Sequence, residues 1–348
     1  MKNAGHRRVG RLITVVVGLI AGGQAALSQS SSPAFDFEPA LSRANDLPRL
    51  RSILVSWNGD TVLEQYFNGA SADRLTNVKS VSKSVMSGLV GVAISEGLIE
   101  SVDQPIGDLL PGIPDDPVRS QIRIGDLLSM QAGLETTSNR NYGRWVQSED
   151  WVRFALEQPV VAEPGGPMIY STGNTHLLSA IITSVSGEST LDFARRAFAP
   201  LGFELAAWPT DPGGLYFGGN DMEFTPRQML ALGVMYLNKG RYGADQVLPE
   251  AWVNASWEPR VESPREEGRY YGYGWWIRDM AGFESPYAWG YGGQFIVTVP
   301  ELNLVIVTTS SSYPGDGRRQ HTRQIYELVE NGLVAPAAVA LGFPNQRS

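Results

Sequence analysis

The chain contains no cysteine. A thiol nucleophile, a thiolate metal site, a disulfide framework and a lipid-bearing cysteine are therefore all excluded. Histidine is scarce, with only His6, His176 and His321. His6 lies in the N-terminal leader, so a centre built on several histidines cannot be assembled, and a Ser-His-Asp arrangement is disfavoured. An all-carboxylate Mg or Ca site stays open, but no EF-hand-like spacing occurs and no metal ligand is assigned. Lysine is rare too. Of 28 cationic residues only Lys2, Lys79, Lys83 and Lys239 are lysines. The net charge is −8, with no basic run after the N-terminus. Nucleic acid and anionic membrane surfaces are poor partners for such a chain. Beyond the leader no apolar run reaches membrane-spanning length.

What is present begins with that leader. "MKNAGHRRVGR" is a basic n-region, "LITVVVGLIAGG" a short apolar h-region, and "QAALSQS" a small-residue segment suited to cleavage near Ser28. Residues 1–28 are expected to be a signal peptide, which implies a periplasmic or secreted protein with no stable membrane association once cleaved. An uncleaved anchor is the alternative. Residues 29–46 are Ser/Ala/Pro-rich and read as a linker or arm. The remainder, 47–348, is long and apolar enough for one large domain.

Within that domain, "RSILVSW" and "TVLEQYF" are β-rich runs joined by Asn58-Gly59-Asp60, a strong hairpin signal. A helical stretch follows, with apolar residues at three and four spacing in "NTHLLSAIITSVSG", "TLDFARRAFAPLG" and "TPRQMLALGVMYLNKG". Thr225-Pro226 reads as an N-cap with an N1 proline, and Gly240 as the matching C-terminal stop. From residue 270 onward "YYGYGWWIRD", "YAWGYGG", "QFIVTVP" and "NLVIVTTSS" read as antiparallel strands, and "RRQHTRQIYELVENGLV" as a closing helix. The expected fold is α/β (α+β). An antiparallel sheet flanked by helices is built from both chain ends, 47–80 and 268–334. A mostly helical lobe, about 81–267, is inserted between them. A cleft between the lobes is the default place for a site.

Three segments could carry chemistry. Ser80 and Lys83 are three apart and share one face of a helix. Burial against Val81, Val85 and Leu89, together with the positive end of the helix dipole, would lower the Lys83 pKa and make it a base for Ser80. Arginine could not replace it, because it does not deprotonate in proteins. Lys79 reads as an ordinary pre-helix charge. Tyr170 sits just before a helix that starts near Thr172 or Asn174. Close to a lysine ammonium its phenol pKa would fall, which makes a proton relay feasible. Asn174 reads as an N-cap and His176 as structural or surface. Gly290, Gly292 and Gly293 interrupt a strand, which marks a bulge or a close backbone approach by a ligand, or else a simple hairpin turn.

Together these motifs resemble the serine β-lactamase and penicillin-binding-protein superfamily, most of all its class C-related serine hydrolases, which include esterases and 6-aminohexanoate-dimer hydrolases. The resemblance covers roughly Leu47 to Val334 and implies a β-lactamase/transpeptidase-like fold. It implies Ser80 as acylated nucleophile, Lys83 as base and Tyr170 as proton carrier. The family's Tyr-x-Asn is Tyr170-Ser171-Thr172 here, and Asn174 is a stand-in for the missing amide. Counting from the double glycine puts the third motif at Ala288-Trp289-Gly290. The backbone N–H groups of Ser80 and Tyr291 would then form the oxyanion hole. Trp289, Gly290 and Gly292 would lie against substrate.

Ala288 stands where the family carries a Lys or His that receives a carboxylate, which weakens the β-lactam and peptide readings. Trp289 and Tyr291, with Trp275 and Trp276, suggest an aromatic pocket for a neutral or apolar acyl group. The expected activity is hydrolysis of a small-molecule ester or amide without a cofactor. β-Lactamase or D-Ala peptidase activity, or a non-catalytic cell-wall binding module, are the alternatives.

Overall fold

Asn58 and Gly59 both adopt left-handed backbone angles, φ 52° and 89°. This is the two-residue turn that matches the twist of paired strands. It joins β1 (Leu50–Trp57) to β2 (Asp60–Tyr66), as the sequence predicts. The computed structural model describes residues 33, 35–113 and 116–343. The predicted signal peptide lies outside them.

The other sheet strands come from the C-terminal part: β3 (Val261–Glu262), β4 (Tyr270–Tyr271), β5 (Trp276–Met280), β6 (Phe283–Gly290), β7 (Gln294–Val299) and β8 (Leu304–Ser310). They form one eight-stranded sheet in the order β2-β1-β8-β7-β6-β5-β4-β3. Neighbouring strands for which the register is described pair antiparallel. The sheet is built from both ends of the chain, as expected. It starts at Val261 rather than 268, because β3 falls inside the predicted helical lobe.

The sheet separates two apolar cores. Leu54, Ala288, Ile296, Val305 and Val307 face one cluster, and Ile53, Val55, Phe295, Val297, Leu304 and Ile306 face the other. Both faces of the central strands are thus covered, so these strands read as nearly continuous apolar runs. On the first face lie α2 (Ser82–Ser95), α3 (Thr172–Ser186) and α4 (Pro226–Leu237). Thr225 caps α4 in a box with Gln228, as Thr225-Pro226 predicts.

On the second face lie α1 (Glu38–Asn45) and α5 (Arg318–Glu327), the latter continuing through a wider helical turn, Leu328–Val334. Helix α1 falls within 29–46, the segment read as a linker or arm, and packs as an arm on this core. Ala40 and Ala44 are fully buried in the second core. A Cβ on Gly332 would sit 3.0 Å from the Ala40 Cβ. Small residues at this contact, not an apolar stripe, let the helix dock, which is why hydropathy hides it.

Helix α4 approaches the sheet through Gly233, whose added Cβ would lie 2.5 Å from Val305 Cγ1 and 2.8 Å from Ile296 Cγ2. Gly233→Ala is expected to destabilise the fold by about 1–3 kcal/mol through overpacking. Urea denaturation checks this, and an unchanged midpoint would show that the helix can move off the sheet freely.

Candidate active site

Two short strands, Thr76–Asn77 and Glu223–Phe224, pair just before Ser80, and the Val78 N–H donates to the Met222 carbonyl at 2.9 Å. These bonds tie the chain entering the Ser80 turn to the segment Gly218-Gly219-Asn220-Asp221. Ser80 lies on a single 3₁₀ turn, Lys79–Val81, that leads into α2. Lys83 lies in the first turn of α2, and residues three apart along a helix are neighbours on its surface. Ser80 and Lys83 therefore meet as their spacing predicts, with Lys83 Nζ 3.3 Å from Ser80 Oγ.

Lys83 is 1% exposed. Its amine also reaches Thr172 Oγ1 at 3.3 Å and the Gly219 carbonyl. Burial lowers its pKa to about 7, against the opposing pull of the Asp221 carboxylate. A neutral amine has two N–H donors and one lone pair. Thr172 and Gly219 take the donors, which leaves the lone pair for the Ser80 hydroxyl proton.

The Tyr170 ring lies 5.3 Å from Lys83 Nζ, and Tyr170 shares the cavity wall with Ser80. Its pKa moves opposite to the sequence expectation. Burial raises it to about 12, with Ser80 and the Arg269 charge pulling it back only in part. At neutral pH Tyr170 keeps its proton, so it is a donor where Lys83 is the acceptor. The ring stacks on Trp276 with centroids 5.8 Å apart.

Helix α3 begins at Thr172, with Ser171 in the capping position rather than Asn174. Asn174 is buried inside the helix and is not on the cavity wall. The stand-in role expected of it is not supported by its place. Thr172 itself fills the position beside Lys83, and its hydroxyl also pairs with Ser138 Oγ at 2.9 Å. The segment Thr136–Ser138 was not legible in the sequence as part of the site.

Of the roles foreseen for the glycines that end and follow β6, the hairpin turn is the one found. Gly290 pairs with Gln294, and residues 291–293 turn the hairpin with φ 95° at Gly292 and 109° at Gly293. A Cβ on Gly290 would come 2.1 Å from the Val78 carbonyl oxygen. Only glycine lets β6 approach the turn that carries Ser80 so closely. Trp289 and Tyr291 line the cavity, whereas Gly290 and Gly292 do not, and Gly292 backs onto the Ser311 carbonyl instead. Ala288 faces the apolar core that holds Val85 and Leu89. Trp276 lines the cavity, but Trp275 packs away from it against Tyr236. His176 is buried and bonded to Asp211 at 3.1 Å, and His321 is buried against Ser310 Oγ at 2.9 Å. Neither lines the cavity. Among the described residues no cluster of three or more His, Asp or Glu could hold a metal.

Lys79 is not an ordinary surface charge. Its Nζ donates to Asp221 Oδ1 at 2.6 Å, and Asn77 Nδ2 donates to the same oxygen at 2.8 Å. Lys79 and Asp221 both hold left-handed backbones, φ 53° and 60°. Such strain persists only where surrounding contacts fix it. The ion pair therefore locks the residue before Ser80 to the loop that carries the Gly219 carbonyl.

The cavity has a volume of about 670 Å³, with Ser80, Tyr170, Thr172, Trp289 and Tyr291 in its wall. A family model described as Beta-lactamase matches residues 51–330. The chain is 26% identical over 304 residues to a 6-aminohexanoate-dimer hydrolase of Paenarthrobacter ureafaciens, covering 78% of this chain and 75% of that protein. An octameric penicillin-binding protein homologue from Pyrococcus abyssi superposes with a TM-score of 0.69 at 18% identity, covering 89% of this chain and 78% of the other. EstCE1, a hydrolase with promiscuous acyltransferase activity, superposes at 0.66 with 19% identity, covering 83% and 97%.

Lys83 must be neutral to accept a proton, so reaction of Ser80 with a fluorophosphonate should fall as pH drops through about 7. Lys79→Met removes the cation that neutralises Asp221. The freed carboxylate favours the Lys83 ammonium, and the midpoint is expected to move to higher pH. Inactivation rates measured from pH 5 to 10 check this, and a midpoint that stays or falls would contradict it.

Proposed function

The chain belongs to the beta-lactamase family, and on that premise we propose that it is a serine hydrolase that cleaves an ester or short amide through an acyl-enzyme on Ser80. The observation that carries the reading is the buried Lys83 amine, 3.3 Å from Ser80 Oγ and able to be neutral near pH 7. Ser80 Oγ bonds to the carbonyl carbon while its proton passes to Lys83 Nζ. Backbone N–H groups of Ser80 and Tyr291 receive the oxyanion. Collapse breaks the bond to the leaving group. Tyr170 gives that group its phenolic proton and regains one from Lys83. Water then adds to the acyl carbon through the same pair, releasing the acid and restoring Ser80.

Carboxylester and short-amide substrates are favoured within this class. The name of the Paenarthrobacter relative supports an amide, and the aromatic wall of Trp276, Trp289 and Tyr291 suits a neutral acyl group. The leader supports export to the periplasm or beyond the cell.

Ser80→Ala is expected to lose both turnover and fluorophosphonate labelling, read by intact mass and by hydrolysis of p-nitrophenyl esters, nitrocefin and 6-aminohexanoate dimer on one preparation. Labelling that persists in the variant would overturn the mechanism. Nitrocefin turned over faster than every ester and amide would overturn the substrate ranking.

A further inference from the structure

His176 is fully buried and takes no part in the chemistry above. It lies on α3, one turn after Thr172, among Trp145, Trp151 and Phe217, with ring centroids 5.5 to 5.8 Å away. Both of its ring nitrogens are nevertheless engaged. Nε2 is 3.1 Å from Asp211 Oδ2, and the Gly218 N–H donates to Nδ1 at 3.4 Å. An ionised carboxylate only accepts, and a backbone N–H only donates. The two bonds together fit one form of the ring, the neutral imidazole with its proton on Nε2.

Asp211 is itself fixed. Its Oδ1 accepts the Leu215 N–H at 2.9 Å, and its backbone N–H donates to the Leu215 carbonyl at 2.8 Å. The Phe217 N–H closes the loop onto the Pro209 carbonyl at 3.0 Å, and the Ser179 hydroxyl of α3 donates to the Tyr216 carbonyl at 2.7 Å. The chain leaves this loop through Gly218 and Gly219, which press on α3. A Cβ on Gly218 would lie 2.1 Å from the Thr175 carbonyl oxygen, and one on Gly219 would lie 2.2 Å from Thr175 Oγ1. The Gly219 carbonyl that follows is the one that accepts from Lys83.

We propose that His176, kept in one tautomer by Asp211, is a positioning residue: by accepting the Gly218 N–H it sets the Gly219 carbonyl on Lys83, and so aims the amine lone pair at Ser80. The inference rests on the acyl-enzyme reading with Lys83 as base. The titratable groups about that amine are Tyr170 and Asp221. His176 acts on it through the Gly218-Gly219 backbone.

Asp211→Asn reverses the pattern. Its amide oxygen stays with the Leu215 N–H, so its NH₂ group faces Nε2 and drives the ring proton to Nδ1, against the Gly218 N–H. The Gly219 carbonyl then withdraws from Lys83. A hydrogen bond to an ammonium is stronger than one to a neutral amine, so its loss lowers the Lys83 pKa. Fluorophosphonate inactivation followed from pH 5 to 10 is expected to show a plateau about tenfold lower or more and a midpoint moved to lower pH. A role in packing alone would admit water and move the midpoint up toward the ordinary lysine value. His176→Asn keeps a carbonyl acceptor for Gly218 and should recover most of the plateau, whereas His176→Leu should not.

A midpoint that stays or rises in folded Asp211→Asn, an unchanged plateau, or equal plateaus in His176→Asn and His176→Leu would each overturn the proposal. Should these variants fail to fold, the tautomer is read in the unaltered chain. It has three histidines, and ¹⁵N-histidine spectra at pH 8, assigned with His6→Gln and His321→Gln, should place the His176 proton on Nε2. A proton on Nδ1 would overturn the proposal. Labelling of the unaltered chain with any of these contrary results overturns this inference alone, whereas no labelling overturns the acyl-enzyme reading with it.

Discussion

Lys83 is closed off from water, with its amine facing the Thr172 hydroxyl and the Gly219 carbonyl. An ammonium in such a place loses its hydration, and this loss moves its pKa to about 7. In the proposed mechanism, burial of one amine supplies what histidine supplies in a Ser-His-Asp arrangement, a base that is neutral near pH 7. The same burial acts on Tyr170 with opposite result, since the charged form of a phenol is the deprotonated one. One dry environment thus separates an acceptor from a donor, each suited to its half of a proton transfer. Asp221 works against the shift, and Lys79 restrains Asp221.

The close contacts that create this environment depend on missing side chains. Gly290 brings β6 against the Val78 carbonyl, and Gly219 lies where a Cβ would strike Thr175 Oγ1 at 2.2 Å. The first contact sets Tyr291 beside the Ser80 turn. The second places a carbonyl on Lys83. Cavity geometry here is fixed by backbone approach, and the polar side chains are then aimed by the elements that approach. The left-handed angles at Lys79 and Asp221 are the strain this arrangement carries, held by their ion pair.

Periodicity and turn chemistry made most of the fold legible. The Asn58-Gly59 hairpin, the capped start of α4 and the C-terminal strands all follow from local rules. Helix α1 did not, because its burial rests on Ala40 and Ala44 meeting Gly332 from the far end of the chain. The site was legible where spacing alone brings groups together, as for Ser80 and Lys83. Ser138 and Asp221 come from separate segments and carry no chemical signature of their own, so only the assembled fold shows their relation to Lys83. The Tyr170 shift was misjudged because sequence reveals a neighbouring charge more readily than it reveals dehydration.

The central claim is that Lys83 is neutral near physiological pH. The chain has only four lysines, so a sample carrying ¹³C at the lysine ε-carbons gives few enough NMR signals to follow each through a pH titration. Comparison with Lys83→Arg assigns the signal. The account predicts a Lys83 midpoint near 7. A midpoint close to the ordinary lysine value, about 10.4, would contradict it.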